Sequence, residues 1–275
     1  MKNRTLVSLA LSSLFVASAG IAAAQENPSM SPPKVLVIVR EYLKPGKSGP
    51  LHAITEGAFI KAAKDAKLKT NYMAVDSLSG PNRSLFLYSY DSFDAAGKDW
   101  ASMTLGSFGA VAATAFIADG ELLEKSETHF YLYHPEMSLH IGSTDPTHAR
   151  YWQFQSFRVK PGHEMEWNQL TKIYTEGLAS FASANWAMYE SQFAEDNGGV
   201  WVSITPMKTL ADVDQSIADG GKFWAGLGAA KQKQVEDLAA ACLESSQTNI
   251  FLVNPDESYP APEWVTSAPE IWGQH

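Results

Sequence analysis

Apolar and polar positions along this chain alternate between a period of two and a period near 3.6, and the switches come in the same order twice. Residues 34–42 are dense in β-branched side chains and predict a strand with both faces buried. Pro45-Gly46 breaks it. Across residues 50–66, Leu51, Ile54, Ala58, Phe59 and Ala62 recur at helical spacing, which sets Glu56, Lys61 and Lys64-Asp65 outward. Strands follow at 70–75 and 84–90, separated by the turn Ser79-Gly80-Pro81-Asn82. A helix from Asp94 breaks near Gly106 and resumes to about Lys125, and a strand at 128–133 is stopped by Pro135. The order is β-α-β-β-α-β.

The second pass repeats it. A strand at 151–159 ends at the turn Pro161-Gly162, a helix covers 165–182, and strands at 186–191 and 200–205 flank Asp196-Asn197-Gly198-Gly199. A short helix from Leu210, a longer one from about 222 to 244 and a strand at 248–253 complete it. Local sequence agrees with this alignment. Phe157-Arg158-Val159-Lys160-Pro161-Gly162-His163 restates Glu41-Tyr42-Leu43-Lys44-Pro45-Gly46-Lys47 at an offset of 116. The run from Ser126 to Pro135 matches the run from Ser246 to Pro255 at an offset of 120. Matched motifs on matched elements are what a tandem duplication predicts. The expected organisation is a signal peptide at 1–24, a flexible leader at 25–33, one unit at 34–136, a polar linker at 137–150, a second unit at 151–257, and a tail at 258–275. The tail carries Trp264 and Trp272, which argues for packing against the body rather than a free end.

A β-α-β-β-α-β unit makes a four-stranded antiparallel sheet with two helices on one face, and leaves the other face bare. Two units in one chain can cover each other sheet to sheet. At this point the chain resembles the dimeric α/β-barrel superfamily, on Leu43-Lys44-Pro45-Gly46, Val159-Lys160-Pro161-Gly162 and the paired final strands. Antibiotic-biosynthesis-monooxygenase-like and NIPSNAP-like proteins belong to that group. The resemblance implies an α+β fold: two tandem ferredoxin-like units closed into an intrachain α/β barrel with helices outside. It implies no single chemistry, since the superfamily hosts heme enzymes, cofactor-free oxygenases, isomerases and binding modules.

Composition adds a destination and a set of exclusions. Lys2 and Arg4 precede an apolar stretch and Ala22-Ala23-Ala24, the three-part pattern of a secretory signal, so the protein is expected to be exported to the periplasm or beyond. Removing Lys2 and Arg4 from 21 basic residues leaves 19 against 30 acidic ones, a net charge near −11. That balance argues against nucleic acid and anionic membrane surfaces as partners. Cys242 is the one cysteine, so no internal disulfide forms and the cores must hold the fold.

Candidate chemistry is sparse. His52, His129 and His134 fall on Asn168, Asn249 and Asn254 of the second unit, and only imidazole titrates near neutrality. His129, His134, His140 and His148 cluster without the i, i+4 spacing of a helix site or a Cys/His zinc pattern, so no metal is expected. No cofactor is implied, although a heme needs a single axial histidine and stays open. Arg40 and Glu41 are neighbours on a strand, so one of them must enter a packed layer. The leading expectation is an exported module that binds a small apolar or aromatic ligand, and whether it is an enzyme is left open. The rival is a cofactor-independent monooxygenase-like enzyme for an aromatic or polyketide-like substrate. In it His52 would be base or donor, Arg40 would steady anionic charge, and Tyr72, Tyr88 and Trp100 would shape the cavity.

Overall fold

The computed structural model of the chain describes residues 31–105, 107–193 and 199–273. The segment read as a signal peptide and the leader up to residue 30 lie outside the described residues, as does most of the turn at 196–199. The first half runs β1 (Val35–Leu43), α1 (Pro50–Ala66), β2 (Tyr72–Ser77), β3 (Arg83–Tyr90), α2 (Phe93–Leu105), α3 (Ser107–Gly120) and β4 (Leu123–Tyr133). The second runs β5 (Tyr151–Val159), α4 (Glu164–Leu178), β6 (Ala187–Ser191), β7 (Val200–Met207), α5 (Ala211–Cys242) and β8 (Leu243–Val253). Two short helices, α6 (Pro262–Ser267) and α7 (Pro269–Trp272), finish the described chain.

All eight strands pair antiparallel into one closed barrel in the order β1-β3-β2-β8-β5-β7-β6-β4. Each half keeps its four strands adjacent, and two seams join the halves. At one, β2 meets β8 (Val75 opposite Val253); at the other, β4 meets β6 (Tyr131 opposite Ser191). Closure leaves no unpaired sheet edge. Alternate residues of every strand point inward, and the interior draws Ile38, Val75, Leu85 and Tyr131 from one half and Phe154, Tyr189, Val202 and Phe251 from the other. The bare faces of the two sheets therefore cover each other. Ile271 and Trp272 of α7 join the same core, and the Trp272 indole donates to the Thr147 carbonyl at 2.8 Å.

Helices lie outside the barrel, α1 against α3 in the first half and α4 against α5 in the second. The outer layer of the second half is ordinary apolar packing, with Trp167, Leu170, Val235 and Cys242 over Val159, Met188 and Trp201. The first half departs from the expected pattern. Leu51 and Ile54 are 48% and 70% exposed, whereas His52 and Glu56 are buried. The inward face of α1 carries its polar residues because groups on β1, α3 and the turn at 255–257 receive them.

Three boundaries also differ. β4 and β8 begin five residues earlier than predicted, since their polar first halves pair with β1 and β5 and need no apolar alternation there. α5 runs through Gly220-Gly221 without interruption and is kinked instead at Gly228, whose φ of 73° and ψ of 159° suit glycine alone.

Candidate functional site

The first site is assembled around His52, in the layer between the barrel and the helices of the first half. β1 supplies Glu41, α1 supplies His52 and Glu56 one turn apart, α3 supplies Asp119 near its end, and the 3-10 turn at Pro255–Glu257 supplies Glu257. His52 is fully buried and held from both sides, with Nδ1 at 3.0 Å from Glu257 Oε1 and Nε2 at 3.1 Å from Glu41 Oε2. Asp119 Oδ1 lies 3.5 Å and Glu56 Oε1 3.8 Å from the same Nε2. Thr55 steadies Asp119 by donating to its Oδ1 at 3.2 Å.

Four carboxyl groups thus surround one imidazole. Burial alone would depress the His52 pKa, but the bonds to Glu257 and Glu41 and the charges of Glu257 and Glu56 push it up to about 11. Glu56 is raised well above the carboxylate range by burial and by the Glu41 charge. Asp119 is pushed up to about 6 by burial, again with Glu41 contributing. Burial raises Glu257 too, against the pull of its bond to His52. An imidazole enclosed this way holds its proton at neutral pH and has no free nitrogen lone pair for proton abstraction. Of the two parts that the sequence suggested for His52, base or donor, this arrangement suits the donor, with both ring nitrogens facing carboxyl oxygens.

The structure places the other four sequence candidates as follows. Arg40 is on the opposite face of β1, inside the barrel, where Nη2 donates to Tyr131 Oη at 2.5 Å. It therefore shares no pocket with His52: adjacent strand residues point apart, and Glu41 is the one that faces the helices. Tyr72, Tyr88 and Trp100 do come together on the helix side. Their rings form a continuous row, 5.0 Å between the Tyr72 and Tyr88 centroids and 5.7 Å from Tyr88 to Trp100. Phe130 and Tyr259 extend the row at 6.2 Å on each side, so these aromatics fill a layer. Burial raises the Tyr72 and Tyr88 hydroxyls, and each stays protonated.

Sequence reasoning missed Glu56, Asp119 and Glu257 and expected no metal. Glu41, His52, Glu56 and Asp119 offer one ligand atom each, all within 4.8 Å of one another. One signal was available: His52 and Glu56 stand at i, i+4 on one helix face. The apolar stripe through Leu51 and Ile54 pointed the eye to the wrong side of α1. Asp119 and Glu257 arrive from 67 and 205 residues away, and no local pattern announces them.

The second site is a cleft of about 1600 Å³ at the barrel mouth where β1, β2, β5 and β6 begin. Leu36, Met73, Leu87, Trp152, Tyr189 and Ile204 form its inner wall, and the connector at 140–147 and Trp264 of α6 form its rim. None of the five sequence candidates lines it. Trp152, 8% exposed, has an indole N–H with no hydrogen-bond partner. A buried donor left unmatched is costly, and this nitrogen is itself closed off from the cleft surface.

No family model matches the sequence, and no curated protein matches it. Solved structures resemble it in fold. A variant chlorite dismutase from Candidatus Nitrospira defluvii superposes with a TM-score of 0.51 at 8% identity, covering 89% of this chain and 99% of that one. An anthrone oxidase-like protein gives 0.50 at 14% identity over 80% and 92% of the two chains. A presumed monooxygenase from Fusobacterium nucleatum gives 0.50 at 11% identity over 82% and 94%. At such identities the likeness speaks for architecture and not for chemistry. With its eight-stranded closure and external helices, the chain has the dimeric α/β-barrel fold.

Proposed function

We propose that the protein is an exported small-molecule-binding module whose ligand, small and apolar or aromatic, sits in the cleft at the barrel mouth. The observation that carries this reading is the cleft itself, about 1600 Å³ in volume, with Leu36, Met73, Leu87, Trp152, Tyr189 and Ile204 on its inner wall. A concave, largely apolar wall is the usual makeup of a ligand pocket. Tandem duplication of a ferredoxin-like unit accounts for the repeated motifs, and the basic, apolar and small-residue start of the chain accounts for export. Among the described residues no helix is long and apolar enough to cross a membrane. A cofactor-free oxygenase, the alternative, would need a base other than His52.

The test is a fluorescence titration of the purified protein with 1-anilinonaphthalene-8-sulfonate, followed by native mass spectrometry of the protein as isolated. Wild type is expected to bind the probe at one site, and Ala187→Phe, which projects a ring into the cleft, to weaken that binding while leaving the melting temperature near wild type. Probe binding unchanged by Ala187→Phe would overturn the assignment of the cleft.

A further inference from the structure

The polar layer around His52 is not something the fold demands. Equivalent backbone bonds fix the corresponding positions in the second half: Lys44 N to Leu122 O matches Lys160 N to Cys242 O, and Met137 N to His134 O matches Glu257 N to Asn254 O. On that correspondence Glu41 becomes Phe157, Asp119 becomes Ala239 and Glu257 becomes Met137, all members of an apolar cluster. The same architecture is thus held together once by hydrocarbon and once by four carboxyl groups and an imidazole. Burying that many acids against one base is unfavourable unless protons or a further cation neutralise them. Among the described residues, His52 is the one basic side chain in ion-pair contact with them.

Geometry points to the cation. A tetrahedral ion with bonds of about 2.0–2.2 Å holds its ligand atoms roughly 3.3–3.6 Å apart. From His52 Nε2, three of the six edges, to Glu41 Oε2, Asp119 Oδ1 and Glu56 Oε1, are 3.1, 3.5 and 3.8 Å, and all four atoms lie within 4.8 Å of one another, so a small inward shift of the carboxylates completes the shell. Glu257 stands behind, accepting from Nδ1, as the carboxylate that orients a metal-bound histidine. Its Oε2 is buried without a hydrogen-bond partner; Ser84 lies near enough to favour the charge but does not bond it.

We propose that Glu41, His52, Glu56 and Asp119 form a structural binding site for one divalent ion of the zinc class, with Glu257 as the positioning residue. A nitrogen and three oxygens favour such an ion over Mg²⁺ or Ca²⁺, which take oxygen ligands alone. Binding replaces the proton on Nε2 with the metal and leaves the Nδ1–H on Glu257. All four ligands come from the protein, so the site is closed and ties β1, α1 and α3 together. It has no part in the cleft at the barrel mouth.

The experiment uses the full chain as secreted, stripped with EDTA and dialysed, then titrated with ZnCl₂ by calorimetry and by thermal melting. Wild type is expected to take up one Zn²⁺ per chain with a raised melting temperature. Glu56→Gln removes one ligand at constant volume, and the expected result is Zn²⁺ affinity at least about tenfold weaker. The same variant without metal should melt at or above the metal-free wild type, because one crowded acid is gone. Should that variant fail to fold, Asp119→Asn is read with Co²⁺: the visible band of a four-coordinate ion should appear in wild type and be lost in the variant. Absence of Zn²⁺ uptake by wild type would overturn the proposal. So would uptake that neither substitution weakens, since the ion would then sit elsewhere.

Discussion

Arg40 and Glu41 are neighbours in the chain and occupy different compartments of the molecule, one in the barrel interior and one in the layer beneath the helices. The alternation rule required that one of them enter a packed layer, and both do. Which faced which way was not readable from sequence, because Val37 and Ile38 are both fully buried and β1 shows no apolar alternation to set its phase. The Arg40–Tyr131 bond is the barrel-side consequence. Tyr131 is 1% exposed, and hydrogen bonds to charged groups are worth about 1.5–3 kcal/mol. Tyr131→Phe should lower the unfolding free energy by about that amount in urea denaturation. An unchanged midpoint would mean the guanidinium finds an equal partner elsewhere. His52 was singled out by aligning it with Asn168, but Asn168 is exposed and Trp167 holds the buried place on α4, so neither that match nor the role of His52 was readable. The side chains that define it come from four separate elements.

At the scale of elements, periodicity located every strand and the helices of both units, but it missed α6 and α7 in the tail and misjudged the faces of α1 and the break in α5. α1 failed because its exposed Leu51 and Ile54 imitate a core stripe, while the buried face is built from groups that make sense only with their tertiary partners. In α5 the Gly220-Gly221 pair reads as a breaker, yet both residues are helical and the kink falls at Gly228. The two kinds of glycine predict opposite outcomes. Gly228→Ala places a side chain where φ is 73° and should cost about 1–3 kcal/mol. Gly226→Ala, in helical backbone with open space around its Cα, should stabilise by about 0.5–1 kcal/mol. Thermal melts of the pair check both signs, and equal shifts would contradict the kink.

For the whole molecule, the duplicated motifs and the bare sheet faces they imply were enough to anticipate a barrel shared by both halves. The seams were not readable, because β2 with β8 and β4 with β6 join across sequence separations that no local pattern encodes. Neither was the depth to which the tail enters, where Trp272 is fully buried in the core common to both halves. A core built this way has no half that can melt alone. The cleft at one mouth and the His52 layer outside the barrel both depend on that closure.

Differential scanning calorimetry of wild type beside Trp272→Ala and Val202→Ala tests this most directly. A shared core predicts one endotherm in each protein, moved as a whole to lower temperature, with the tryptophan truncation costing about 3–5 kcal/mol. Two endotherms, of which a substitution in the second half moves one and leaves the other in place, would contradict a barrel closed across both halves.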